Sequence, residues 1–150
     1  MIATLEYSSQ PGAPEKAVAD HIKQAFTNPR ATKPLNALKN VPGDDVKEPL
    51  HRLFLDQRRR DRNRAVAVRE CTRAWGTNYT DGGKECDEFP FAAPMKTPRP
   101  PSSTCTSRRT TSPLPVPGAQ NGAAGDLLSG FYNANRIIDG LEDGFIVKIN

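Results

Sequence analysis

Cys86-Asp87-Glu88-Phe89-Pro90-Phe91-Ala92 is the stretch on which the reading of this chain turns. Two adjacent carboxylates stand between a cysteine and an apolar run. An acid pair entering an apolar stretch is costly to bury unless it is paired, protonated or bound to a cation. Asp87 and Glu88 are therefore the first candidates for chemistry; the plain alternative is a turn with two solvated acids. Tyr79 to Lys84, just upstream, is rich in the residues of a tight turn. Glu85 to Ala93 then reads as a strand. On a strand, neighbouring side chains leave on opposite faces, so only one of the two acids can face a given metal directly.

Upstream of that turn, Glu48 to about Trp75 reads as one long helix, with Leu50, Leu53, Phe54, Val66, Val68, Cys71 and Trp75 at its apolar positions and Gly76 and Asn78 ending it. Its middle is a charge run from Gln57 to Arg64. The run is read either as a solvated helix face or as a set of phosphate contacts. Residues 28–47 are broken by Pro29, Pro34 and Pro42-Gly43 and read as a loop. Before them, Pro14 and Glu15 open a helix on which Val18, Ile22 and Phe26 form an apolar stripe, with His21 beside it as a polar flank residue. Ile2 to Tyr7 reads as a short strand.

Downstream, residues 117–125 read as a turn, and Asp126 to Ile138 as a helix with Leu127, Leu128, Phe131 and Ile138 as core positions. Gly144 to Ile149 is a terminal strand with Phe145, Val147 and Ile149 on one face. Strands and helices are mixed rather than strictly alternating. The expectation is an α+β fold: a single small domain over residues 1–150, with a short antiparallel sheet and two to three helices.

The bulk numbers agree with that size. The chain has 150 residues, 36% hydrophobic content, 14 prolines and a net charge of +4. That is long enough for a real core, and the proline content puts part of the chain in loops. A modest basic excess suits a polyanionic partner without requiring one. No segment reads as long enough to span a membrane, and the N-terminus lacks the basic and apolar regions of a secretory signal. Of the cysteines Cys71, Cys86 and Cys105, the first two flank the glycine-rich turn. A local disulfide between them is one reading, two reduced thiols the other, and no cysteine–histidine pattern supports zinc.

Cys86 to Ala92 resembles the signature of the NucA/NucB family of small bacterial deoxyribonucleases. Further pieces agree in order: Ala19-Asp20-His21-Ile22, the run Arg62 to Cys71 with Trp75-Gly76 and Gly82 to Cys86, and Gln120-Asn121-Gly122 to Gly125 followed by Phe131-Tyr132 and Asn135 to Asp139. The resemblance implies a secreted, divalent-metal-dependent endonuclease that cuts DNA with little regard for sequence, using Mg²⁺ or Mn²⁺; a monomer is expected. It implies Asp87 as general base or its positioning partner and Glu88 as a second catalytic or metal-linked acid, with the two roles interchangeable. Asn121 becomes a metal ligand, against the alternative of a helix N-cap. His21 becomes a third catalytic candidate, and Arg62 and Arg64 become phosphate contacts, since arginine forks pair bidentately with phosphate. Gln120 departs from the resemblance, standing where many relatives carry an acid.

Residues 95–113 depart further. Met95 to Pro113 contain no acid, glycine, alanine or aromatic residue and read as a disordered basic Pro/Ser/Thr stretch. The family resemblance implies a strand or hairpin there. Read one base upstream, codons for Met95 to Pro98 become compatible with the expected aromatic-acid opening, which suggests compensating frameshifts with the frame restored near Leu114. Resequencing the locus tests this. The alternatives to an active nuclease are an inactive or truncated member of the family, with an internal start in a longer precursor, and a basic nucleic-acid-binding module without catalysis.

Overall fold

The computed structural model describes residues 2–91 and 111–150. Its elements run β1 (Ala3–Tyr7), α1 (Lys16–Thr27), a 3₁₀ turn (Pro29–Ala31), β2 (Leu50–His51), α2 (Gln57–Trp75), β3 (Lys84–Phe89), β4 (Ser112–Pro117), α3 (Gly118–Ala134) and β5 (Gly144–Ile149). The α+β class holds. The strands form a three-stranded sheet in the order β1-β5-β2 and a separate β3-β4 pair. The larger sheet is mixed rather than antiparallel: β5 runs parallel to β1 and antiparallel to β2.

Three helix boundaries differ from expectation. The long helix begins at Gln57, not Glu48, because Asp56 caps it by accepting the Arg59 backbone N–H at 2.9 Å. Leu50 and His51 are instead drawn into a strand beside β5, which buries Leu50. The C-terminal helix begins at Gly118, taking in the expected turn, and stops at Ala134. Two of its expected core residues are exposed, Leu127 at 44% and Ile138 at 48%. β5 spans the residues expected of it.

The core joins both sheets. Leu5 and Tyr7 of β1, Val18, Ala19, Ile22 and Ala25 of α1, Phe89 of β3, Val116 of β4, and Phe145 and Val147 of β5 form one buried cluster. Phe89 meets Phe26 and Phe91 edge-on, with ring centroids 5.2 and 5.3 Å apart, the arrangement that aromatic quadrupoles favour. The signature thus contributes packing as well as acids. A smaller cluster of Ala67, Cys71 and Cys86 lies between α2 and β3, and the two cysteines form a disulfide.

β4 explains how a proline-rich segment can serve as a strand. Pro113, Pro115 and Pro117 alternate along it and pair with Glu88, Cys86 and Lys84. Alternate residues present their backbone nitrogens to the same edge, so all three missing N–H groups fall on the side away from β3. The ladder to β3 survives, and the outer edge is closed to further strands. The expected disordered stretch therefore ends earlier than residue 113: Thr111 and Ser112 are buried, and Ser112 opens β4. Its remainder, with Cys105 and the proposed frame change, lies almost wholly in residues 92–110, outside the described residues.

Two tyrosines lock the layers together and respond to pH. The Tyr7 hydroxyl donates to the Ala124 carbonyl of α3 at 2.8 Å. Burial pushes the Tyr7 phenol well above its usual range, and the negative charge of Asp87 adds to this. Burial raises Tyr132 too, with Arg52 opposing. Because the folded values lie above the unfolded one, both contribute stability that is fully present below about pH 10 and is lost as pH rises beyond it. Absorbance titration near 295 nm should therefore show two of the three tyrosines un-ionised at about pH 11 until the fold opens. Ionisation of all three together near pH 10 would contradict this.

Candidate active site

The alternation of β3 sorts the acids. Glu85, Asp87 and Phe89 leave on one face, and each meets a helix there: Glu85 meets Asn121 of α3, Asp87 meets His21 of α1, and Phe89 meets Phe26 of α1. Cys86 and Glu88 leave on the other face, where Cys86 is joined to Cys71 of α2. The β3–β4 pair is thus held between α1 and α3 on one side and α2 on the other.

Asp87 sits at the centre of the first face. Its Oδ2 lies 2.6 Å from His21 Nδ1, and His21 Nε2 lies 2.9 Å from Ser112 Oγ. The relay runs from α1 to both strands of the pair, and its members are 6%, 2% and 1% exposed for Asp87, His21 and Ser112. A carboxylate can only accept, so Nδ1 carries the hydrogen, and with a neutral ring the Ser112 hydroxyl donates to Nε2. His21 is therefore a buried partner of the acid, not a polar flank residue. Spacing placed it near the apolar stripe, but only the packing of α1 on β3 brings it to Asp87. Ser112 gave no signal, because it lies in the stretch that read as disordered.

The second focus is the start of α3. Asn121 Nδ2 donates to Glu85 Oε2 at 2.7 Å, so Asn121 binds across to β3 and does not cap its own helix. This contact needs α3 to begin almost against the strand. Gly118 permits it: its N–H donates to the Gly83 carbonyl at 2.9 Å, and a Cβ there would lie 3.0 Å from that oxygen and 3.3 Å from the Glu85 carboxyl. Glu85 was not among the sequence candidates, although its period-two relation to Asp87 marks it as sharing that face. Glu88, expected alongside Asn121, lies buried on the face toward α2 instead. Gln120 Oε1 accepts the Ala17 backbone N–H at 2.6 Å, so the residue at the departing position satisfies an orphan donor at the start of α1.

The two arginines separate. Asn63, Ala67 and Cys71 form the buried stripe of α2, and Arg62 and Arg64 lie on either side of it. Arg64 Nη1 donates to the Cys86 carbonyl at 2.5 Å, beside Asp87 in the chain. Arg62 is exposed on the other flank.

Among the described residues no three His, Cys, Asp or Glu side chains cluster as a metal cage. The oxygen donors that do gather, Glu85 and Asn121 with Asp87 two residues along, suit a hard cation that keeps most of its water and takes only one or two carboxylates. No helix among the described residues is long and apolar enough to cross a membrane.

No curated protein and no solved structure matched the chain. The family described as deoxyribonuclease NucA/NucB matches residues 52–147, a span that takes in α2, both strands bearing the Asp87 site, α3 and most of β5. With the signature on β3 inside that span, the chain belongs to the deoxyribonuclease NucA/NucB family and is a nuclease of that type.

Proposed function

We propose that this deoxyribonuclease is a secreted endonuclease, dependent on Mg²⁺ or Mn²⁺, that cuts DNA with little regard for sequence, and that Asp87 is its general base. The observation that carries the reading is the buried acid of β3 held by His21 at 2.6 Å, with Glu85 and Asn121 paired on the same face. Phosphodiester hydrolysis adds water across a P–O bond: the water oxygen bonds to phosphorus, its proton goes to a base, and the departing sugar oxygen takes up a proton. Asp87 is suited to receive the water's proton, and His21 to keep its second oxygen fixed while it does so. Glu85 and Asn121 would hold the cation. A bound Mg²⁺ or Mn²⁺ supplies charge neutralisation at the phosphate and at the departing oxygen. Arg64, fixed to β3, adds positive charge beside the site. The Cys71–Cys86 disulfide supports an oxidising, extracellular setting.

A supercoiled-plasmid assay tests the reading. With Mg²⁺ or Mn²⁺ the plasmid should pass to nicked and then linear and shorter forms as a smear, and EDTA should stop it. Discrete bands would overturn sequence indifference, and cleavage that survives EDTA would overturn metal dependence. Glu85→Gln and Asn121→Ala should each raise the Mg²⁺ concentration needed for half-maximal rate by about 10-fold or more, the scale of losing one ligand or its partner.

A further inference from the structure

Away from the Asp87 face, a cleft of about 430 Å³ opens between the segment that enters α2 and the end of α3, with Arg52, Phe54, Leu55, Tyr132, Arg136 and Ile138 among its lining. Its apolar surface is unusually open: Phe54 is 51% exposed, Leu55 77% and Ile138 48%. Its wall is nonetheless tied by several contacts. The Arg52 guanidinium lies 4.5 Å from the Phe54 ring centroid and 4.7 Å from that of Tyr132, and it donates to the Ile137 carbonyl at 3.0 Å. Asp139 accepts the backbone N–H groups of both Phe54 and Leu55. A second guanidinium, that of Arg60, lies 5.5 Å from the Phe54 centroid. A third belongs to Arg136, whose φ of 52° is the left-handed region that side chains other than glycine rarely adopt.

The occupant follows from this combination. Arg52 and Arg60 both stand over the Phe54 ring, yet half of that residue stays exposed, so a base can stack on this ring and guanidinium layer and bring its phosphate to the cations, as single strands are held. An apolar peptide would leave that charge uncompensated. The cleft also connects to the acid: Arg60 and Arg64 are one turn of α2 apart, about 6 Å along the axis, and Arg64 binds the carbonyl that precedes Asp87.

We propose that this cleft is a subsite for an unpaired nucleotide of the DNA strand, its base against Phe54 and its phosphate on Arg60 and Arg136. The proposal rests on the nuclease reading of the Asp87 face. It implies that frayed or single-stranded stretches are held better than closed duplex.

Fluorescence anisotropy of a labelled single-stranded deoxyoligonucleotide, measured on the full chain in EDTA, tests it. Phe54→Leu keeps the apolar contact but removes the stacking face, and should weaken binding by about 5–10-fold. The loss should vanish on a matching strand that carries abasic sites. Arg136→Gly should flatten the dependence of log affinity on log salt by about 0.7 while holding or raising the melting temperature, since glycine takes a positive φ without strain. Unchanged affinity in Phe54→Leu, an equal loss on the abasic strand, or an unchanged salt slope in Arg136→Gly would each overturn the subsite. Failure of the two readings is distinguishable: binding with this signature and no plasmid cleavage overturns the catalytic reading alone, and cleavage with Phe54-independent binding overturns the subsite alone.

Discussion

Replacing Asp87 by Asn should lower DNA hydrolysis by about 10²–10⁴-fold, the span that a positioned general base contributes, while the chain stays folded. The substitution preserves shape and an acceptor oxygen for His21 Nδ1–H, so the buried relay keeps its hydrogen bond, but the amide cannot take a proton from water. Hydrolysis and thermal unfolding measured on the same preparation check the two halves of the statement. A variant that retains more than a tenth of the activity would remove Asp87 from the base role. His21 is expected to act through Asp87 as a positioning residue. His21→Ala leaves the buried acid without its 2.6 Å partner and should lower kcat more than it raises KM. His21→Asn, which can return an N–H near the Nδ1 position, should restore part of that loss. A purely structural His21 would show the stability change of the alanine variant with no rescue of kcat by asparagine.

Removing the Cys71–Cys86 disulfide should cost about 3 kcal/mol of stability. The bridge closes a loop with a sequence separation of 15, and in the chain-entropy account a loop of that size restricts the unfolded chain by about that amount. The native contribution is specific as well. The bridge ties β3 to α2 one residue before Asp87, and both cysteines are buried with Ala67 in the smaller core. The double variant Cys71→Ala, Cys86→Ala should therefore lower the urea midpoint and, at temperatures where it remains folded, lower activity through looser placement of Asp87. Equal urea midpoints for the parent chain and the double variant would contradict the stabilising role. An unchanged rate in the folded double variant would show that the α1 contacts alone hold the acid.

Much of this protein was legible from local pattern. β1 and β5 follow from short apolar runs bounded by turn residues, the acid-bearing strand from the tight turn before it, though it ends at Phe89 rather than Ala93, and α1 from the four-residue spacing of Val18, Ile22 and Phe26. Gly76 marked the end of α2, and it takes a φ of 86° there, which glycine adopts at little cost. These are signals carried within one turn or one strand. The errors share a cause. Leu50 and His51 fit a helical stripe equally well, and only pairing with β5 makes them a strand. Ser112 to Pro117 carry three prolines, which argue against a strand in sequence, yet β3 offers them a ladder that leaves the proline nitrogens outward.

The site divides in the same way. The sequence by itself determined the chemistry available: an acid pair at the mouth of an apolar run, a cysteine on each side of a turn, and an amide near the start of a helix. The alternation of a strand, a property of the backbone alone, already meant that Asp87 and Glu88 could not act as equals. Tertiary structure decided which acid faces which partner. The contacts that select Asp87 span 66 residues to His21, and the one that pairs Asn121 with Glu85 spans 36. No local spacing encodes distances of that kind, because they arise from how α1 and α3 pack on one side of β3 while a disulfide holds α2 to the other.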